Sequence, residues 1–337
     1  MRPAETIASL ARFERRGAGT DTERRAANWL AREVETKTRT ARIEPFWCRP
    51  NWALAHAWHA ALGLAGSLVT EADARVGGAL ILVALLSLIA DAVAGVSLGR
   101  RLTREHASQN IVSEGTSQAH VHLIVTANYD TGRAGLVTRG RFRAAAAAAA
   151  DTVNGWTPGW LGWLAIALAW VLAMAILRLE GHRGTVVGVA QLIPTIGLVL
   201  ALALLLEQAS AAFGDKASDN ASGIAAAVAL VKALDAAPPR HLDVDLVLQG
   251  AGDRDGIGLR RYLRKRAGER TAPNTVVMGI APCAHGNPVW FQSDGALVPM
   301  SYFRALRQMC ESVARDDPGL SASPRRGRVY VSTDNPI

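Results

Sequence analysis

Four long apolar runs constrain the fold of this chain more than any other feature. The runs are Trp52 to Thr70, Val76 to Leu98, Gly159 to Leu177 and Gly184 to Leu206. Each has about 19 to 23 residues, and a helix needs roughly 20 apolar residues to cross a bilayer. The connections Glu71 to Arg75 and Arg178 to Arg183 are short, so the runs predict two transmembrane hairpins that each return the chain to the side it left.

The distribution of basic residues predicts how these hairpins are oriented. The formal net charge is +8, and cationic side chains gather where the polar segments meet the hairpins: Arg39, Arg42, Arg49, Arg100, Arg101, Arg104 and Lys216. The opposite ends carry Arg75, Arg178 and Arg183. By the positive-inside rule, the N-terminus and the polar segments are expected to be cytoplasmic. The same loops account for the basic excess, so nucleic acid is not expected as a partner.

The cysteine spacing predicts the redox compartment, and the N-terminal region predicts whether a signal peptide is present. Cys48, Cys283 and Cys310 are far apart and form no CxxC or Cys/His pattern, so neither a disulfide framework nor a zinc knuckle is expected. We therefore expect the protein to reside in a reducing compartment. The first 50 residues contain no apolar h-region, so we expect no cleavable signal peptide.

The sequence between and around the hairpins predicts one split α/β domain. We divide the chain into 1–51, 99–158 and 207–337 for that domain, with hairpins at 52–98 and 159–206. The predicted strands are Thr40 to Trp47, His120 to Ala127, Leu242 to Leu248 and Asn274 to Ile280, and the predicted helices are Thr22 to Val34 (capped by Thr20 or Asp21), Ala221 to Leu234 and Met300 to Ala314. This alternation predicts a mostly parallel sheet with helices on both faces.

Active sites in such sheets form where parallel strands end. Here the strand ends lead into Asn128-Tyr129-Asp130-Thr131 and into a loop at residues 250–256 that contains Asp253 and Asp255. A third polar segment, Ser218-Asp219-Asn220, precedes the helix that starts at Ala221. We expect these three segments to lie close together.

In this order the segments resemble the co-catalytic zinc aminopeptidases, whose relatives include bacterial leucyl aminopeptidases, glutaminyl cyclases and the peptidase-like domain of the transferrin receptor. Residues 15–33 are similar to the family's "R-x-x-G-T-x-x-E" entry, and residues 110–112 to its "N-V-I" strand. The segment TANYDT at 126–131 resembles "A-H-Y-D-T", and SDNASGIAAAVAL at 218–230 resembles "D-N-A-S-G-V-A". Residues 250–263 resemble "G-x-E-E-x-G-L-x-G-S".

The resemblance implies two zinc ions, yet most of the implied ligands are replaced. Asn128 stands at the position of a zinc-binding His, and Asp130 matches the Asp that orients that His. Asp219 matches the Asp that bridges both metals. The Glu-Glu pair, base then ligand, falls on Gly252-Asp253, or on Asp253-Arg254 if the gap is placed differently. The pair is broken under either alignment.

Two further implied ligands are absent from this sequence. The next family Asp falls near Ala281, and the segment Ser332 to Ile337 resembles a loop that precedes the last His of the family. Possible substitutes are Asp253, Asp255, His285 and the pair His120 and His122. Purely structural roles are also consistent with these residues: Asp253 and Asp255 can cap a turn, and His120 and His122 can face a strand edge.

We therefore expect an integral membrane protein whose zinc-aminopeptidase-like domain is weakly active or non-catalytic and binds no zinc. Its role would be to bind a peptide or other ligand, or to serve as a scaffold for a membrane-protein partner. One alternative is an active membrane metallo-aminopeptidase with a rearranged site around Asp219, Asp253 and Asp130. The other is a transporter or channel component, for which the spans offer little beyond Asp91 and Gln191.

Overall fold

The computed structural model describes residues 2–117, 119–138, 140, 142, 145, 159–214, 217–283, 286–294, 297 and 300–325. The helices are α1 (Pro3–Leu10), α2 (Asp21–Val34), α3 (Trp52–Val69), α4 (Ala74–Ala94), α5 (Leu98–Arg101), α6 (Trp160–Leu179), α7 (Thr185–Ser210), α8 (Ala217–Ala236), α9 (Ile257–Lys265) and α10 (Arg304–Asp316). The strands are β1 (Arg42–Cys48), β2 (His106–Ser113), β3 (Val121–Asn128), β4 (Leu242–Gln249), β5 (Thr275–Gly279), β6 (Val289–Phe291), β7 (Ser293–Asp294), β8 (Met300–Ser301) and β9 (Ser323–Arg325).

Helix α2 shows how local sequence sets an element boundary. Of the two candidate caps it is Thr20 that acts, because its side-chain oxygen accepts the Glu23 N–H at 3.1 Å and satisfies a donor that has no partner within the helix. The apolar face of α2 includes Leu30 and Val34, which are buried against the sheet. The predicted span Thr22 to Val34 agrees with the structure to one residue.

The central sheet is mixed, so the expectation of a mostly parallel sheet is wrong. Its order is β1-β2-β4-β3-β5. Strand β1 pairs antiparallel with β2, and β2 with β4, whereas β3 runs parallel to both β4 and β5. The antiparallel β1–β2 pair has a simple cause. The chain leaves β1 into the helices α3 and α4 and re-enters β2 at the end that it left, so β2 must run back along β1.

Helices cover both faces of this sheet, as the sequence predicts. On one face, Leu30 of α2 and Ile224 and Val228 of α8 pack on Val125 and Leu246. On the other face, Tyr262 of α9 packs on the strands in a smaller apolar cluster. Burial of these side chains holds the carboxyl ends of β3 and β4 in fixed register, and there Asn128 faces Gln249.

The remaining long helices form a bundle beside the α/β unit. Helix α3 packs on α4 and α7, and α6 also packs on α4 and α7. Small residues permit a close approach: a Cβ added to Gly66 of α3 would lie 2.9 Å from the carbonyl oxygen of Gly77 in α4. Such contacts between small residues are typical of helices that pack in membranes.

Three helices of the bundle are long and apolar enough to cross a membrane: α4, α6 and α7. In the most apolar stretch of α7 only 22% is buried by the protein, so most of this apolar stretch is not covered by the rest of the described chain. Helix α3 is not among the three. It has 18 residues, and His56 and His59 lower its apolar character. The prediction of four spans is therefore not supported, and the cytoplasmic orientation stays a prediction, as do the domain boundaries.

The polar side chains on which a transport function would depend are engaged in contacts within the protein. Gln191 donates to the Ser67 carbonyl at 2.7 Å and to the Thr70 hydroxyl at 2.9 Å, and it accepts a hydrogen bond from Arg178 at 2.8 Å. Asp91 pairs with Arg100. Both groups thus hold helices together where the cost of an unpaired polar group is high.

Candidate functional site

Four segments converge at the carboxyl edge of β3 and β4. The turn that follows β3 lies beside the loop that follows β4, since the Tyr129 N–H donates to the Gln249 carbonyl at 3.1 Å. The first turns of α8 approach from above, where the Asn220 side chain donates to the Asp130 carbonyl. The segment after β5 closes the edge: the Cys283 N–H donates to the Ser222 hydroxyl at 2.9 Å. The first three are the segments that the sequence predicts to meet, and the segment after β5 is an addition that the structure shows.

Asp130 lies at the centre of this edge and is 1% exposed. Its carboxylate accepts the Gly252 N–H at 2.7 Å and the Asp253 N–H at 3.3 Å. Burial and then the charge of Asp253 raise the pKa of Asp130 to about 7. Asp130 therefore fixes the loop after β4 through its backbone, while the resemblance implies that it orients a His.

Asn128 and Gly252 occupy the same small space. A Cβ added to Gly252 would overlap the Cβ of Asn128, and it would lie 3.0 Å from Cγ of Gln249. Under one of the two alignments Gly252 holds the position of the catalytic Glu. The packing leaves no room there for a side chain of any kind.

Among the candidates whose side chains the structure describes, Asp253 is the one whose carboxylate remains available at the edge. Its side chain is half-buried and lies against Gly132, close enough to Asp130 to raise the pKa of that carboxyl group. Within the part of the chain that the structure describes, the Asp253 carboxylate accepts no hydrogen bond. It is thus positioned to receive a cation or a hydrogen-bond donor from a ligand.

The next two residues of the loop point away from this edge. The Arg254 guanidinium stacks over the Trp52 ring at 4.0 Å. Asp255 pairs with Arg100 at 2.8 Å. Under the other alignment Arg254 would take the place of a zinc ligand, but its side chain contacts the start of α3.

Several predicted candidates fall elsewhere or outside the described side chains. His122 lies near the amino end of β3, 3.3 Å from Asp243 and 3.1 Å from Arg270, so it does not reach the candidate site. His120 precedes that strand. The backbone of Asp219 is in the first turn of α8, and its side chain lies outside the described part of the structure. His285 and the segment Ser332 to Ile337 also lie outside it.

Glu23 is a buried carboxyl group beside this site that sequence reasoning missed. It is fully buried, and it accepts hydrogen bonds from Ser108 at 2.6 Å, the Gly19 N–H at 2.6 Å and the Ala251 N–H at 3.3 Å. Burial and then the charge of Asp130 raise the pKa of Glu23 to about 8. The Thr20-x-x-Glu23 spacing is a capping signal, but only the fold shows that this Glu joins α2 to β2 and to the loop after β4.

The donor set of the described residues does not fit a two-zinc centre. Such a centre needs several anionic or imidazole ligands and a bridging carboxylate. The implied positions hold the carboxamide of Asn128, the bare backbone of Gly252 and the methyl group of Ala281, and both Asp130 oxygens accept backbone N–H groups. Among the described side chains no three His, Cys, Asp or Glu residues come together as a metal site.

Solved structures of zinc exopeptidases and glutaminyl cyclases are similar to this chain in overall fold. No protein-family model matches the chain, and no curated protein matches it. A leucine aminopeptidase precursor from Bacteroides thetaiotaomicron has 10% identity and a TM-score of 0.45 over 98% of this chain and 78% of its own. A glutaminyl cyclase from Tannerella forsythia has 11% identity and a TM-score of 0.47 over 98% of this chain and 77% of its own.

A Zn-dependent exopeptidase from Parabacteroides distasonis has 11% identity and a TM-score of 0.43 over 98% of this chain and 77% of its own. All three scores lie below 0.5. The likeness therefore carries no inference about activity, and the function has to be argued from the residues of the site.

Proposed function

We propose that this chain is a membrane-associated protein whose aminopeptidase-like α/β unit binds a ligand or serves as a scaffold, without two-zinc peptide hydrolysis. The observation that carries the proposal is the packing of Gly252 on Asn128. Under the alignment that places the general base at Gly252, a Cβ would overlap Asn128, so the loss of the base is built into the backbone. Under the other alignment the base falls on Asp253, but the zinc ligand that follows it is replaced by Arg254. An inserted carboxylate could not restore the site without moving the strand end.

The reuse of the loop after β4 supports the same proposal. In the family this loop supplies the base and a zinc ligand. In this chain Arg254 and Asp255 fasten it to Trp52 and Arg100. A loop held in this way joins the α/β unit to α3 and α5 and keeps Asp253 at the edge of the sheet.

The available Asp253 carboxylate favours a cationic ligand, and we assign it the α-ammonium group of a peptide or amino acid. A charge-assisted hydrogen bond from an ammonium group to a partly buried carboxylate is stronger than one between neutral groups. Peptides with a free amino terminus should therefore bind better than the same peptides after acetylation. The polar face that carries the site is proposed to be cytoplasmic, on the basis of the basic residues at the helix ends.

Metal content and peptidase activity of the detergent-purified full chain test the non-hydrolytic part of this proposal. The protein is dialysed against zinc, its bound metal is measured by mass spectrometry, and fluorogenic amino-acid amides are assayed with and without chelator. The matched variant is Asp219→Asn, which alters the one family ligand that is kept. We expect no retained zinc and no chelator-sensitive release above that of the variant. About two zinc ions per chain, with release abolished in Asp219→Asn, would establish the metallo-aminopeptidase alternative instead.

A binding measurement tests the ligand part. Titration of the wild-type chain with a short neutral peptide should give binding that is lost on acetylation of the peptide and weakened at least tenfold in Asp253→Asn. Asp316→Asn, on the exposed α10, is the control. Equal binding of both peptides would exclude an ammonium site at Asp253 and leave the scaffold role.

A further inference from the structure

A cavity, separate from the Asp253 side of the sheet edge, lies where the helical bundle meets the α/β unit. Its volume is about 260 Å³. Seven arginines line it: Arg49, Arg100, Arg101, Arg254, Arg260, Arg261 and Arg264. They come from the end of β1, from α5, from the loop after β4 and from α9. Against them stand three carboxylates, Asp91, Glu105 and Asp255.

Arg100 forms ion pairs with two of the three carboxylates, Asp91 and Asp255. Arg100 forms a two-pronged pair with Asp91 at 2.7 and 2.9 Å, and it also contacts Asp255 at 2.8 Å. Five further arginines, Arg49, Arg101, Arg260, Arg261 and Arg264, and one further carboxylate, Glu105, line the cavity, and Arg254 stacks on the Trp52 ring. The local charge is therefore strongly positive, and a low-dielectric wall strengthens its attraction for anions.

Backbone carbonyls hold several of these arginines in place. Arg261 donates to the Trp47 carbonyl at 3.1 Å, and Arg264 donates to the Ala94 carbonyl at 2.9 Å. A neutral carbonyl positions a guanidinium group but does not cancel its charge. Within the described residues no carboxylate lies within 4.0 Å of the guanidinium nitrogens of Arg49, Arg101, Arg260, Arg261 or Arg264.

The cavity is level with the ends of the helices. Helix α4 ends at Ala94 and α6 begins at Trp160, so a bilayer crossed by these helices would have its headgroups here. The lining includes the apolar Val96, which is 47% exposed, and the chain neighbours of other lining residues, Val93 and Leu102, are 75% and 62% exposed. A cationic cavity with an apolar rim matches the two parts of an anionic lipid.

We propose that this cavity binds a phosphate ester, and that the ester is the headgroup of an anionic membrane lipid. Guanidinium groups suit phosphate because their planar N–H donors match two oxygens at once. The volume is somewhat below the roughly 300 Å³ at which pockets for drug-sized ligands begin, which suits a headgroup rather than a whole metabolite. The inference rests on the membrane association in the proposed function, but the site differs from the proposed peptide site, so lipid binding and peptide binding can fail separately.

Calorimetric titration of the delipidated full chain in neutral detergent tests the cavity. The probes are dihexanoyl phosphatidic acid, dihexanoyl phosphatidylcholine and inorganic phosphate. The variant is Arg260→Gln/Arg264→Gln, which removes two exposed charges and spares Arg100. Its charge-matched control is Arg304→Gln/Arg315→Gln on α10, whose arginines are also exposed and lie away from the cavity.

We expect phosphatidic acid to bind, phosphatidylcholine not to bind, and the cavity variant to bind phosphatidic acid about 25-fold more weakly, from roughly fivefold per arginine near an anionic headgroup. If inorganic phosphate binds as tightly as phosphatidic acid and the cavity variant loses affinity for both, the cavity is an anion site whose ligand is a soluble phosphate rather than a lipid. Equal binding by the cavity variant and the wild type, or no binding of either anion, would overturn the proposal.

Discussion

The two ends of the loop after β4 lie in different surroundings. One end carries the candidate site at Asp253, and the other end, which we call the joint, consists of Arg254 and Asp255 with their partners Trp52 and Arg100. At one end, Asp130 binds backbone N–H groups of Gly252 and Asp253, and the Asp253 carboxylate stays available. At the other end, Asp255 and Arg254 bind Arg100 and Trp52. A carboxylate beside neutral groups keeps its capacity for a ligand, whereas a carboxylate beside a buried guanidinium group stabilises the fold.

The largest expected effect is at the joint. Arg100→Met leaves Asp91, with 2% of its side chain exposed, and Asp255 without their counter-charge. Removing one partner of a buried ion pair costs about 3–5 kcal/mol, measured as the free energy of unfolding in detergent. The neighbouring Arg101 is exposed, so Arg101→Met is the control, with a change of about 0.5 kcal/mol or less. Equal losses in both variants would show that the Asp91–Arg100–Asp255 contacts do not hold the joint.

Asp130→Asn tests the site end of the loop. One of the two backbone donors, the Gly252 or the Asp253 N–H, loses its acceptor, and a buried unsatisfied donor costs about 1–3 kcal/mol. Denaturant unfolding at pH 7 measures this loss. Asp21→Asn, at an exposed position of α2, is the control and should leave the free energy of unfolding within about 0.5 kcal/mol of the wild type.

The same variant has a pH signature. Because the folded-state pKa of Asp130 is raised from 3.8 to about 7, its contribution to stability is fully present below pH 3.8 and is lost as pH rises through about 7. Asp130→Asn should remove this contribution to the dependence of the free energy of unfolding on pH. Glu23 has a pKa raised from 4.5 to about 8. In the Asp130→Asn variant it should still contribute a pH dependence of its own between those two values. An unchanged slope in Asp130→Asn would contradict the burial of this carboxyl group as a protonated acid.

Gly252→Ala tests the packing that excludes a catalytic base. The added methyl group meets Asn128 and should cost about 1–3 kcal/mol, as overpacking of a filled site does. Asn128→Gly/Gly252→Ala removes the opposing Cβ and should recover most of the loss, which a double-mutant cycle measures. Gly268→Ala is the control, since a Cβ there would meet no atom within 4 Å. A neutral Gly252→Ala would remove the main support for a non-catalytic site.

The smallest expected effect is that of Arg254→Ala. The guanidinium group lies over Trp52 at 4.0 Å, and a cation–π contact near the surface contributes about 0.5–1 kcal/mol. A coupling energy with Trp52→Leu, obtained from thermal unfolding of the two single variants and the double variant, isolates this contact. Coupling near zero would assign the joint to Arg100 alone.

Much of the candidate site could be predicted because its segments carry local signals. Asn128 ends a strand, and Asp130 and Asp253 follow strands, whose runs of Val, Leu and Ile are evident in the sequence, and parallel strands bring such ends together. The burial of Glu23 and the pairing of Asp255 with Arg100 could not be predicted. Each depends on contacts between residues 85 or more positions apart in the chain, and no local pattern encodes such contacts.

The sequence by itself determined the elements: the apolar runs that became α4, α6 and α7, the start of α2 at Thr20 or Asp21, and β3, β4 and β5 to within a residue or two. Only the tertiary structure decided how these elements pair. The return of the chain through α3 and α4 made β1 and β2 antiparallel, and the packing of Gly252 on Asn128 left no room for a side chain at residue 252. Local propensity and periodicity fix helices and strands within a few residues, whereas pairing and packing depend on which distant segments bury each other's surface.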